Sequence, residues 1–171
     1  MALARSYKTG VFDSATWTAT GAAGTVTTPV PILYGATGSA SSCNITGISA
    51  GVMGAAGFPA NASVVVSVNS VSGTAAGGAS ATVTHLDAGT VPSSTTFLTA
   101  GGASPTAITG LTVGAAYWSR VISFTAGSDY GDWESPGLEV TIPSSSKFAV
   151  CVTASSAGTS TAFAAEIAFT E

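Results

Sequence analysis

The sequence predicts an all-β protein, an antiparallel β-sandwich of jelly-roll type with little or no helix. Three observations carry that expectation. Apolar residues alternate with period two, turn residues recur at short intervals, and no segment shows a capped Leu/Glu/Lys-rich pattern of helical period.

Taken in order, positions 1–10 hold Arg5, Tyr7 and Lys8. Arg5 and Lys8 interrupt what would otherwise be a short apolar run, so the segment does not read as a secretory signal. It reads as an arm reaching a neighbouring chain through Arg5, Tyr7 and Lys8, ahead of a single domain over 11–171. Strands are expected at 11–20, 25–34 and 42–48. The stretch 48–60 holds Gly51, Gly54, Gly57 and Pro59 and reads as a loop. Val64, Val66 and Val68 share one face of a strand over 63–71. A Gly-rich hairpin tip, 73–80, leads towards a strand over 79–86, and further strands follow at 95–99, 107–113 and 117–125. The C-terminal third adds strands at 138–142, at 147–154 with Phe148, Val150 and Val152 on one face, and at 161–170 with Phe163, Ala165, Ile167 and Phe169 on one face. Such alternation buries one side of each strand. So many short strands favour a jelly roll over an immunoglobulin-type sandwich.

Charge is the most unusual property. Only 7% of the 171 residues are charged, against roughly 25% in an ordinary soluble domain. No Asp, Glu, Lys or Arg occurs between Ser14 and Leu86, nor between Ala88 and Ser119. Surface charge normally keeps a protein soluble and monomeric. A chain without it is expected to hide surface in an assembly or to present a Ser/Thr-coated β surface outside the cell. Four basic residues and a formal charge of −4 leave no basic patch for nucleic acid. Gly, Ser, Thr or Pro breaks every stretch that could span a membrane as a helix. Cys43 and Cys151 lie far apart and read as two buried free thiols behaving as small hydrophobes.

Half of the eight acids fall within 128–139, with Tyr130 and Trp133 among them. Tyr130, Asp132, Trp133 and Glu134 form a candidate interaction surface, because Tyr and Trp anchor interfaces well. A calcium site is the alternative use of Asp129, Asp132 and Glu134, whose spacing is not that of an EF-hand. Arg120 shares a face with Trp118 and Ile122, and a guanidinium on an apolar face needs a partner. Glu139 is the first candidate for a structural ion pair with Arg120. His85 is the single histidine and has Asp87 two residues on, but no nucleophile elbow or phosphate loop accompanies them. No catalytic residue, cofactor or metal is therefore expected. Asn44 and Asn61 open N-glycosylation sequons that read as chance matches.

The C-terminal third carries an aromatic and acidic segment (130–134), a short strand (138–142), a Pro/Ser turn (143–146), a strand with an inward aromatic (147–152) and a last strand ending on an acid (163–171). This pattern, over roughly 118–171, resembles small jelly-roll structural proteins of bacteriophage virions. The resemblance implies a capsid decoration or spike-like component that associates with itself, a trimer first, and with a major capsid or other virion protein. It implies a virion location reached by synthesis in the host cytoplasm, with no nucleic acid or membrane partner. A receptor- or carbohydrate-binding module of a phage tail or fibre is the alternative.

Overall fold

The computed structural model describes residues 5–9, 12–18, 29–53, 63–87, 91–100, 107–123, 133–134, 139–154 and 160–171. Among these residues there is no helix. The strands are β1 (Ser6–Thr9), β2 (Phe12–Thr18), β3 (Val30–Ala36), β4 (Cys43–Met53), β5 (Ser63–Ala76), β6 (Ala79–Ser80), β7 (Val83–His85), β8 (Thr96–Thr99), β9 (Thr109–Ser123), β10 (Trp133–Glu134), β11 (Val140–Ile142), β12 (Lys147–Ala154) and β13 (Ser160–Thr170).

They form two antiparallel sheets packed as a β-sandwich. One sheet runs β10-β4-β13-β1-β7, with β11 also on β4 and β2 also on β13. The other runs β6-β8-β3-β12-β5-β9. Four pairings nest inside one another along the chain: β1 with β13, β3 with β12, β4 with β11, and β5 with β9.

Period-two alternation supplies the core. In the first sheet Tyr7, Cys43, Ile45, Ile48, Ile142, Ile167 and Phe169 are buried, and in the second Leu33, Val66, Val68, Phe97, Phe148, Val150 and Val152 are buried. The sheets meet through aromatic rings. Phe97 of β8 lies 5.2 Å from Phe169 of β13 and packs edge-on to Phe148 at 5.9 Å. Tyr7 stacks on Phe169 at 5.3 Å. Such contacts add to burial of the rings' area. β12 is buried on both faces, because Ala149 and Cys151 are covered as fully as Phe148, Val150 and Val152, and Thr153 is buried as well.

Two expectations are corrected here. The N-terminal arm is not an arm: β1 lies between β13 and β7, with Tyr7 opposite both Phe169 and His85. Tyr7 is 1% exposed, and Thr9 joins β13 by a bond from the Ile167 amide to its hydroxyl at 3.1 Å. Pairing on both sides of β1 lets the sandwich itself take the ring out of water. The domain therefore includes residues before position 11. Nor does β4 stop at Ile48. It runs on to Met53 through Gly51, held by pairing with β13 from Ala162↔Met53 onwards.

Candidate interaction edge

An edge strand presents unpaired N–H and C=O groups, and most proteins blunt such edges by shortness, charge or bulges. Three of the four strands ending the sheet orders are blunt by shortness: β10 and β6 have two residues each and β7 has three. β9 is different. It has fifteen residues, holds the outer position in the second sheet, and among the described strands pairs only with β5.

The residues of β9 explain why it is long. Thr, Val, Tyr, Trp and Ile suit a pleated surface, and β5 offers Val64 to Val68 as partners. Its two halves differ. From Val68↔Trp118 to Ser63↔Ser123 the ladder is regular, whereas towards the other end it slips between Val68 and Asn69, between Asn69 and Val71, and between Gly73 and Ala76. Gly73 and Gly110 both have positive φ there, and a Cβ on either would collide with the other strand's backbone. Lys147 reaches the same end and donates from Nζ to the Gly73 carbonyl at 2.6 Å. Ser67, Asn69 and Gly114 form a polar strip under the bulges: the Ser67 hydroxyl donates to Asn69 Oδ1 at 2.6 Å, and Asn69 Nδ2 donates to the Gly114 carbonyl at 3.0 Å.

Val121 and Tyr117 are large hydrophobic side chains left open on β9, at 59% and 45% exposure. Arg120 is the one charged residue in the strand and is exposed. It stands opposite buried Val66, with Trp118 opposite Val68, so the expected shared face of Trp118 and Arg120 is the core-facing side of the sheet. At the sheet's edge that side reaches water. Glu139, the acid expected to pair with Arg120, is exposed and precedes β11, which joins β4 in the other sheet, while Arg120 lies beside β5. Alternation assigns a face, but it does not assign a neighbour.

A second cluster gathers at Glu171. Its carboxylate accepts bonds from the Ser93 hydroxyl at 2.9 Å, the Ser94 amide at 2.9 Å and the Thr95 amide at 2.8 Å. Its backbone exchanges two bonds of 3.1 Å with Arg5. Partial burial works to raise the carboxyl's pKa, but the bonds from Thr95, Ser94 and Ser93 outweigh it and hold the pKa below the ordinary value. Nearby, the His85 ring lies tilted against Tyr7 at 4.9 Å, and its Nδ1 is buried without a hydrogen-bond partner, 3.8 Å from Asp87 Oδ1. Asp87 instead accepts from the Ser6 amide at 3.1 Å through Oδ2. Ser93 is committed to Glu171 and to the Thr95 carbonyl. His85, Asp87 and Ser93 are thus engaged in holding β1, β7 and the 91–95 segment, with no relay between them.

Of the aromatic and acidic surface, Tyr130 and Asp132 lie outside the described residues, as does Asp129 of the calcium alternative. Trp133 and Glu134 form β10, paired with Ala50 and Ser49 of β4. Cys43 and Cys151 are both free and buried, on different sheets, and burial pushes each thiol up to about 12. Among the described residues no group of His, Cys, Asp and Glu is arranged to hold a metal ion. The β9 edge itself was not evident from the residues, because Gly114 to Ala116 reads as a break between two shorter strands. The fifteen-residue reach was legible only in the run of β-formers on either side.

Compared with known proteins, the chain matches no family model, no curated protein and no solved structure.

Proposed function

We propose that the protein is a structural component of a bacteriophage virion, a capsid decoration or spike-like jelly roll that works by burying β surface between copies of itself and against another virion protein. The observation that carries this reading is the nested pairing of β1 with β13, β3 with β12, β4 with β11, and β5 with β9. Nested pairing of this kind supports a jelly-roll reading of the sandwich, an architecture used by viral capsid and lectin domains. Within that architecture, the scarcity of charge favours assembly over life as a free monomer.

Mass spectrometry of purified particles tests the proposal. Recovery of the chain at a fixed copy number supports it, and recovery only from the infected-cell lysate counts against it. The lectin side of the same architecture supports a second reading, a carbohydrate-binding module of a tail or fibre. Glycan binding that disappears on Trp133→Ala would favour that reading.

A further inference from the structure

We propose that the regular half of β9 is a self-pairing edge, adding antiparallel to the same strand of a second copy about a two-fold axis through Val121. The inference rests on the self-assembling reading above and names its contact. Two six-stranded sheets would become one continuous sheet.

Three observations select this stretch. It is the longest outer strand: β6, β7 and β10 have two or three residues, and β2, which among the described strands pairs only with β13, has seven. Its bulges are confined to the half beyond Trp118, and bulges turn an edge away from pairing, so they guard that half and leave 118–123 regular. The regular half also carries Val121, the more exposed of the two large hydrophobic residues open on the strand.

Charge and register then select the occupant. In a two-fold antiparallel pair the central residue faces its own copy, and residues on either side face each other in turn. Centring on Arg120 would set two guanidinium groups directly opposite, which is destabilising. Centring on Ser119 would bring Val121 against Tyr117, where the ladder to β5 slips. Centring on Val121 keeps positions 119–123 within the regular ladder. Val121 then faces Val121 of the second copy, Ser119 faces Ser123, and Arg120 faces Ile122. Opposed β-branched residues are favourable cross-strand neighbours. A partner recognised by charge would find a single charged residue on this strand, whereas a second copy finds a self-complementary set. A two-fold contact yields a dimer as the smallest unit, in place of the trimer implied by the phage resemblance.

The test is disulfide trapping in the full chain. Directly opposed residues of an antiparallel pair have Cα atoms about 4.5–5.5 Å apart, inside the range a disulfide spans. The native thiols are buried and do not compete. Under mild oxidation, Val121→Cys should run as a covalent species of twice 16.5 kDa that reductant reverses, while the exposed-site controls Ser119→Cys and Thr112→Cys should stay at 16.5 kDa. Val121→Lys, at an exposed site that leaves the fold and its melting temperature intact, should lower the sedimenting mass from that of the wild type. Cross-linking of Ser119→Cys in preference to Val121→Cys overturns the register. An oligomeric wild type whose mass is untouched by Val121→Lys and whose Val121→Cys form does not cross-link overturns the contact and leaves the assembly reading standing. A monomeric wild type overturns both.

Discussion

The ring of Phe148 fills the space where a side chain on Gly35 would stand. The two residues face each other across the β3–β12 ladder, and a Cβ on Gly35 would overlap the ring's outer carbons. Phe148 is fully buried and touches Phe97, so the ring has no free direction in which to move. This is a case where glycine is required by packing, since no positive φ is involved at that position.

Gly35→Ala should therefore destabilise the fold by about 1–3 kcal/mol, the usual cost of forcing extra volume into a packed core. Gly47→Ala is the matched control, because its Cβ would meet only the Ala168 Cβ at 3.6 Å, an ordinary contact. Urea unfolding read by circular dichroism should show a lower midpoint for the first variant and little change for the second. Equal midpoints would contradict the packing argument.

Tyr7 should behave as a core residue. Tyr7→Ala removes a fully buried ring and should cost about 3–5 kcal/mol, as for other large aromatic truncations. Tyr7→Phe removes only the bond from the hydroxyl to the Val91 carbonyl, 3.2 Å long, and should cost about 1 kcal/mol. Deleting residues 1–8 should unfold the sandwich rather than merely loosen assembly. A truncated chain with an unchanged melting temperature would restore the arm reading.

Glu171 should make stability acid-sensitive. Its folded pKa lies below the ordinary value of 4.5, so its contribution is fully present above that value and is lost as the pH falls through the lower folded value. Glu171→Gln keeps the shape without the charge. It should be less stable than wild type at neutral pH, by about 1–2 kcal/mol once the carboxylate's partial exposure is allowed for. The gap should narrow as the pH falls below 4.5 and close once the folded carboxyl is protonated. Melting temperatures measured from pH 7 to 3 check this, and a gap constant across that range would contradict it.

Cys43 and Cys151 should be silent in the native protein. With both thiols buried and pushed up to about 12, a thiol reagent at pH 8 should label neither until denaturant is added. Labelling of either thiol on mixing would contradict the burial.

Much of the sandwich was legible in the residues, because strands buried on one face announce themselves by alternation. Phe148, Val150 and Val152 marked β12, and Ile167 and Phe169 marked the end of β13, with bounds close to those observed. The N-terminal segment misled because Arg5 and Lys8 flank a single aromatic, and one inward ring on a four-residue strand gives no period to read. Gly51 and Gly114 misled in the opposite direction. Glycine reads as punctuation, yet both lie inside strands whose partners, β13 and β5, supply the ladder that local preference lacks. Arg120 marks a further limit: period two placed it correctly beside Trp118 on the core-facing side, but only the order of strands shows that this side lies at an open edge. The interaction surface at Tyr130 and Asp132 lies outside the described residues, so the candidate edge that emerges is β9 instead.

This charge-poor sandwich is proposed to associate with copies of itself. Sedimentation equilibrium of the wild-type chain at tens of micromolar tests it most directly. The expected mass is at least twice 16.5 kDa and falls on dilution or on Val121→Lys. A single species of 16.5 kDa across the whole concentration range would contradict it.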